Sequence, residues 1–248
     1  MEVPRPRRVP KVVALDLDAT VWMPELYMMT EYALDSLVVV DSPAHSPARA
    51  SHTTLKPLRR KNGECYAVRD GWGQELTFME DAKRVIQIVS GWEGCQLAYV
   101  SRTTEVEAAH LAIEHLHVEF DERVKVGRTM GDVMDHHEIY PGSKVGHFTE
   151  LKKALGVAFT DMLFLDNESW CVVWLRGERG REGGREMTGW VGYISDVLAL
   201  ACRNTKEVSR ELGVCSVHCP RGLTMKAFEE GLALFDAMHT FMEQGGTC

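Results

Sequence analysis

Two carboxylates stand two residues apart at the end of a short apolar run. The run KVVALDL covers Lys11–Leu17, and it brings Asp16 and Asp18 to the end of a predicted strand, with Thr20 just beyond. An apolar, β-branched run that ends in acid is typical of a buried parallel strand. One carboxylate can attack phosphorus if magnesium shields the repulsion between the anions. The other can protonate the departing alkoxide and later activate water, although acidic strand ends also serve as helix caps.

Two further segments carry groups that could hold a phosphate. Ser101 ends a predicted strand at Gln96–Val100, and the following loop offers backbone N–H groups at the start of a helix, which suit an anion. Arg102 beside it could contact phosphate through two N–H groups. Lys144, at the start of another predicted helix, supplies a positive charge for the nucleophile and the transferred phosphoryl group.

A last acidic segment, which follows another predicted strand, indicates a set of metal ligands. A predicted strand at Asp161–Leu165 is followed by Asp166, Asn167 and Glu168. Oxygen ligands of this kind suit a hard cation such as Mg²⁺. Together with Asp16 and Asp18, they predict a magnesium site at the carboxyl edge of a sheet.

Strands that alternate with helices must position these residues. Beyond the strands above, the spacing predicts one strand at Val214–His218 and helices at Glu75–Ser90, Thr104–Leu116, Ser143–Leu155, Lys206–Leu212 and Thr224–Met242. This alternation predicts an α/β fold, a three-layer, doubly wound parallel sheet of the Rossmann-like type. We expect a flexible N-terminus at 1–10 and a single domain at 11–242.

Two insertions interrupt this pattern. The first, at about 27–74, contains a Ser-, Pro- and His-rich stretch, predicts an irregular segment from Tyr27 to Cys65, and could form a small cap over the site. The second, at about 170–201, contains GERGREGGRE and is interpreted as a surface loop with a short accessory helix. Alternatively, it is unspliced sequence, which sequencing the transcript between Glu168 and Arg203 would reveal.

Composition excludes several other classes. A net charge of -8 argues against charge-driven binding to nucleic acid or anionic membranes, and no apolar run is long enough to span a bilayer. The N-terminal segment lacks the apolar region of a secretory signal, and seven scattered cysteines indicate reduced thiols, so we expect a cytoplasmic or nuclear protein. The histidines around His110 and His136 lack zinc-like spacing with Cys or carboxylate, and no P-loop pattern occurs.

Five stretches, read in order, resemble the haloacid dehalogenase superfamily, and within it the eukaryotic magnesium-dependent phosphatases of the acid phosphatase-like family. They are ALDLDATVW, YVSRTTE, EIYPGSKVGHF, MLFLDNE, and RN with ELGV and RGLT, and they extend from Lys11 to Phe235. EIYPGSK is the most specific of them. The resemblance implies a haloacid dehalogenase-type fold and a phosphomonoesterase that acts on phosphotyrosine, phosphorylated sugars or glycated amines. Its substrate would be a small molecule or a phosphoprotein.

The resemblance also implies a role for each matching residue. Asp16 would be the nucleophile and a magnesium ligand, Asp18 the acid/base with its carbonyl on the metal, and Thr20 would shape the loop. Ser101 and Arg102 would hold the phosphate, Lys144 would stabilise the nucleophile, and Asp166 with Asn167 would complete the metal site.

One departure from the family concerns the metal motif. The family usually has a second aspartate where this chain has Asn167, so we expect weaker magnesium binding. Two alternatives stay open: a dehalogenase, which needs neither Asp18 nor magnesium, and a catalytically silent binding protein of the same fold.

Overall fold

Five parallel strands form the central sheet of the protein. The computed structural model describes residues 6–31, 55–168, 170–171 and 201–246. Along the chain the strands are β1 (Val12–Leu15), β2 (Trp22–Met23), β3 (Lys56–Arg59), β4 (Cys65–Arg69), β5 (Glu75–Phe78), β6 (Gln96–Ser101), β7 (His117–Asp121), β8 (Val126–Thr129), β9 (His136–Ile139), β10 (Met162–Asp166), β11 (Trp170–Cys171), β12 (Ala201–Cys202) and β13 (Cys215–His218). The helices are α1 (Leu26–Glu31), α2 (Ala82–Ser90), α3 (Val106–His115), α4 (Met130–Val133), α5 (Lys144–Leu155), α6 (Arg203–Leu212) and α7 (Met225–Glu243).

The central sheet has the order β13-β10-β1-β6-β9, with every pairing parallel. Because side chains alternate along a strand, Val13 and Leu15 of β1 pack into one apolar cluster, and Val12 and Ala14 pack into another. Helices α2, α3 and α7 cover the first face, whereas α5 and α6 cover the second. This arrangement confirms the predicted three-layer α/β fold.

A second sheet was not predicted. Strands β2, β5, β4 and β3 pair in that order, all antiparallel. The prediction of a helix over Glu75–Ser90 is therefore wrong at its start, since Glu75–Phe78 is a strand and the helix begins at Ala82. The prediction of an irregular Tyr27–Cys65 segment is wrong where α1 and β3 form, whereas residues 32–54 lie outside the described part. Pairing with distant strands overrides the helical spacing at Phe78.

Two smaller features also differ from expectation. Helix α3 begins at Val106, two residues later than predicted, because the Thr103 hydroxyl accepts a hydrogen bond from the Glu105 amide at 3.2 Å. The edge strand β9 and the β7–β8 hairpin were not predicted. In contrast, α5 begins after Ser143 and ends at Gly156, which has φ 66°, as the sequence indicated.

The described residues cover only part of the two predicted insertions. Trp170 and Cys171 pair antiparallel with Cys202 and Ala201, so the two ends of the second insertion are neighbours. Residues 172–200, residues 1–5 of the expected flexible N-terminus, and the Ser- and Pro-rich stretch at 32–54 lie outside the description. In the described part of the chain, no helix has the length and apolar character required to cross a membrane.

Candidate active site

A tight turn after β1 places Asp16 and Asp18 at the carboxyl edge of the sheet. The Asp16 amide still donates to the Leu165 carbonyl at 3.0 Å, so Asp16 continues the pairing with β10. The chain then turns, and the Val21 amide donates to the Leu17 carbonyl at 2.8 Å. Ala19 has φ 54° within this turn, a conformation that non-glycine residues rarely adopt. The turn brings Asp18 to the same side as Asp16, as the sequence predicted.

Lys144 connects the carboxylates that end β1 and β10. Its Nζ lies 2.5 Å from Asp16 Oδ1 and 3.7 Å from Asp166 Oδ2, and it donates to the Val100 carbonyl at 2.6 Å. The Lys144 side chain is 1% exposed. Ser143 fixes the start of α5, because its Oγ accepts from the Gly146 amide at 3.0 Å. A buried ammonium therefore stands between two carboxylates at the sheet edge.

Negative charge exceeds positive charge around Asp16. Burial raises the pKa of the Asp16 carboxyl, the Lys144 ammonium opposes this rise, and the Asp166 carboxylate adds to it. The Thr20 hydroxyl lies 3.3 Å from Asp16 Oδ2 and 3.1 Å from Asn167 Oδ1, and its one proton serves one of these oxygens at a time. Thr20 thus links the first and last motifs.

Several N–H and O–H groups surround Asp18. Its Oδ1 accepts from Trp22 Nε1 at 2.7 Å and from the Leu26 amide at 3.1 Å. The Thr103 side chain also hydrogen-bonds to Asp18. Burial raises the pKa of the Asp18 carboxyl, and these hydrogen bonds oppose the rise. A carboxyl group with a raised pKa can deliver a proton.

The predicted phosphate-binding residues lie at the end of β6. Ser101 is buried, and its Oγ accepts from the Thr103 amide at 3.2 Å. The amides of Thr103 and Glu105 are thus engaged by side chains within the loop. The Arg102 side chain is 49% exposed and lies 3.9 Å from the Glu168 carboxylate.

Lys144 and Thr20 link the side chains of Asp166 and Asn167 to that of Asp16. Asp166 is fully buried, with Oδ1 accepting from the Glu168 amide at 2.7 Å. The backbone N–H of Asn167 donates to Thr20 Oγ1 at 2.9 Å, and His218 Nε2 lies 3.0 Å from the backbone carbonyl oxygen of Asn167.

These residues fit a magnesium ion by donor chemistry and by charge. Asp16, Asp166 and Asn167 offer hard oxygen atoms, the Asp18 carbonyl is a further candidate, and the nearby carboxylates outnumber the buried ammonium. Among the described residues, no group of three or more His, Cys, Asp or Glu side chains is arranged to hold a metal. A magnesium ion held here would therefore need the side-chain oxygen of Asn167 and a backbone carbonyl as well as carboxylates.

A pocket of about 320 Å³ opens at this edge. Its lining residues are Asp16, Asp18, Glu25, Tyr27, Ser101, Arg102, Thr103, Thr104, Asn167 and Glu168. Lys144 and Asp166 are buried outside this lining, and Lys144 contacts both Asp16 and Asp166.

Sequence reasoning missed several residues of the site. Glu25 and Tyr27 line the pocket, but no role was assigned to them, and Glu168, considered only as part of the metal motif, lines it as well. Trp22 is fully buried, and its Nε1 also bonds Asp18. No local pattern in the sequence indicates this contact.

The doubly wound sheet and the Asp16–Lys144–Asp166 cluster at its carboxyl edge are those of a hydrolase with a haloacid dehalogenase-type fold. The family profile described as Acid Phosphatase matches residues 8–173, more than half of the chain. The chain therefore belongs to the acid phosphatase family, which confirms the resemblance found in the motifs.

Two relatives agree with this assignment. Over 233 residues, the chain is 26% identical to the human protein named magnesium-dependent phosphatase 1, covering 94% of this chain and 91% of that protein. It is also 26% identical over 160 residues to an HAD-like hydrolase superfamily protein of Schizosaccharomyces pombe, covering 64% of this chain and 77% of that protein.

Proposed function

We propose that this protein is a magnesium-dependent phosphomonoesterase that forms an aspartyl-phosphate on Asp16. The observation that carries the proposal is the buried Lys144 ammonium between Asp16 and Asp166, beside a pocket that Asp18 also lines. Membership of the acid phosphatase family and the relative named as a magnesium-dependent phosphatase support the reaction and the metal.

In the first step, a carboxylate oxygen of Asp16 attacks the phosphorus of a bound monoester. The bond from phosphorus to the ester oxygen breaks, and its electron pair stays on that oxygen. Asp18 donates a proton to the oxygen, so the product leaves as a neutral alcohol. Lys144 lies 2.5 Å from Asp16 Oδ1 and holds the nucleophile in place.

In the second step, Asp18 acts as a base. Its carboxylate takes a proton from water as the water oxygen attacks phosphorus. The bond from phosphorus to Asp16 then breaks, which restores the Asp16 carboxylate and leaves inorganic phosphate. We propose that Ser101 and Arg102, both in the pocket lining, hold the phosphoryl oxygens through both steps.

Magnesium would be held by Asp16, Asp166, Asn167 and the Asp18 carbonyl. When bound, it shields the repulsion between the Asp16 carboxylate and the phosphoryl oxygens.

The pocket favours a small substrate with a positive group near its phosphate. A volume of about 320 Å³ is at the low end of the range for small-molecule sites, roughly 300–1,000 Å³. Burial raises the pKa of Glu25, and the charges of Asp18 and Glu168 add to the rise, which indicates a negative potential at this edge. Among the substrates that the family suggests, these acids support a phosphorylated glycated amine over phosphotyrosine or a phosphorylated sugar without an amine.

The experiment is hydrolysis of 4-nitrophenyl phosphate by purified protein, with magnesium and with a chelator. Asp16→Asn should abolish release, whereas the matched Asp236→Asn variant, changed at a carboxylate that pairs with Arg8, should keep it. Retained activity in Asp16→Asn contradicts the mechanism. If the folded wild-type protein releases no 4-nitrophenol, the silent binding protein is favoured. If it releases halide from a haloacid, without magnesium and without Asp18, the dehalogenase is favoured.

A second comparison addresses the substrate. A phosphosugar joined to the amine of lysine should have a lower KM than the free phosphosugar, and Glu25→Gln should reduce that preference. An equal KM for both compounds would remove the support for an amine-containing substrate.

A further inference from the structure

A buried tryptophan donates a hydrogen bond to the carboxyl group proposed as the acid. Trp22 is 0% exposed and belongs to the larger apolar cluster. Its Nε1 lies 2.7 Å from Asp18 Oδ1, the shorter of the two N–H contacts to that oxygen. An apolar core position is filled by phenylalanine as well as by tryptophan, so packing alone does not account for the N–H.

The turn after β1 holds Trp22 and Asp18 in a fixed relation. The Ala19 amide donates to the Trp22 carbonyl at 3.0 Å, and the Trp22 amide donates to the Leu17 carbonyl at 3.2 Å. The backbones of Asp18 and Trp22 pair in an isolated β-bridge. Ala19 has φ 54°, a strained conformation that persists only where its surroundings impose it. The backbone conformation of this turn therefore places the indole next to Asp18.

Both N–H donors reach the same oxygen of Asp18. A carboxylate oxygen has two lone pairs, and the N–H groups of Trp22 and Leu26 fill both on Oδ1. A proton carried by Asp18 consequently resides on Oδ2. The Thr103 hydroxyl, the third partner of Asp18, can accept from a protonated oxygen or donate to a charged one.

We propose that Trp22 is a positioning residue for proton transfer, which keeps Oδ1 of Asp18 occupied so that Oδ2 delivers the proton. The inference rests on the proposed phosphatase function. In the step concerned, the ester oxygen gains the electron pair of its broken bond to phosphorus and the proton from Oδ2, and Asp18 becomes a carboxylate. Without the Trp22 N–H, the Leu26 amide alone bonds Oδ1, one lone pair of that oxygen is open, and the proton is no longer confined to Oδ2.

The test exploits the fact that a good leaving group needs little protonation. Three substrates of similar size, 4-nitrophenyl, phenyl and benzyl phosphate, carry leaving groups of increasing basicity. In Trp22→Phe we expect kcat/KM to fall by about tenfold or more for benzyl phosphate and by less than about twofold for 4-nitrophenyl phosphate. The ratio kcat/KM is used because it reports formation of the aspartyl-phosphate rather than its hydrolysis.

Two controls separate positioning from packing. Trp92→Phe makes the same change at a tryptophan that stacks on Phe228 with ring centroids 5.6 Å apart, and its dependence on leaving group should match the wild type. Placing β-(3-benzothienyl)alanine at position 22 replaces the N–H by sulfur with little change of shape, so it tests the donor even if Trp22→Phe folds poorly.

The outcomes distinguish the two levels of inference. A loss that grows with leaving-group basicity in both position-22 variants supports the proposal. An equal loss for all three substrates, or no loss, overturns it while the phosphatase function stands. Failure of the wild type to release phosphate from any of the three overturns the function, and the role of Trp22 falls with it.

Discussion

Replacing Lys144 by methionine removes the buried ammonium that contacts both Asp16 and Asp166. At an effective dielectric constant of about 20, unit charges attract by about 7 kcal/mol at 2.5 Å and about 4.5 kcal/mol at 3.7 Å. Desolvation of the ions offsets much of this attraction. Since the two carboxylates stay buried without their partner, we expect Lys144→Met to lower the free energy of unfolding by about 3–5 kcal/mol.

The assay is urea unfolding in the presence of a chelator, with Lys226→Met as the matched control. Lys226 is 80% exposed and pairs with Glu230 at 3.7 Å on a helix surface, so its loss should change the free energy of unfolding by less than about 0.5 kcal/mol. Magnesium should recover part of the stability lost in Lys144→Met, because a cation at the site replaces the missing charge. At 100 times its Kd, a bound ion contributes about 2.7 kcal/mol.

A double-mutant cycle with Asp16→Asn decides whether the loss comes from the ion pair. In the Asp16→Asn background, Lys144→Met leaves only Asp166 unpaired, so the loss should be smaller than in the wild type. If Lys144→Met costs no more than Lys226→Met, or if the losses of the two single variants simply add, the inferred charge cluster is wrong.

Two other predictions concern the metal and helix α4, which precedes β9. Asn167→Asp should lower the magnesium concentration needed for half-maximal rate and for half-maximal thermal stabilisation, because a carboxylate binds a hard cation more strongly than an amide. If both magnesium concentrations stay unchanged, Asn167 is not a ligand. Asp132 closes a capping box with Thr129, whose amide and hydroxyl hold the pKa of Asp132 below its ordinary value. A depressed carboxyl pKa stabilises the fold above the unfolded pKa, and this contribution disappears as the pH falls through the depressed value. Asp132→Ala should thus cost about 1 kcal/mol at neutral pH and less in acid, as measured by urea unfolding at both pH values; an equal cost at both would contradict this origin.

The central sheet could be predicted because each of its main strands carries a local signal. β1, β6 and β10 are short, buried, largely apolar runs that end in a polar residue or are followed directly by one, and parallel strands bring such ends to one edge. Ser143 and Gly156 marked the ends of α5, which placed Lys144 at the first helical residue. The assembly of Asp16, Lys144 and Asp166 therefore followed from element order and local patterns.

The second sheet could not be predicted in the same way. Glu75–Phe78 pairs with β2, more than 50 residues earlier, and such pairing has no local signal. Phe78 also falls in register with the apolar face of α2, which extended the apparent helix backwards. Strand β9 has the sequence HHEI, which lacks the apolar, β-branched pattern of a strand, yet it pairs with β6. The Trp22 contact was equally hidden, since it depends on the positive φ of Ala19 rather than on residue type.

The charges of the site connect the metal requirement with the substrate. Asp16 and Asp18 line the pocket with Glu25 and Glu168, whereas Arg102 is the basic residue in that lining. Lys144, behind Asp16, is already paired with two carboxylates. A phosphate dianion entering this pocket meets excess negative charge, so phosphate binding must depend on a bound cation, and by reciprocity a bound phosphate must raise the affinity for that cation. The same excess would favour a positive group elsewhere on the substrate, so the metal dependence and the proposed preference for an amine would have one electrostatic cause.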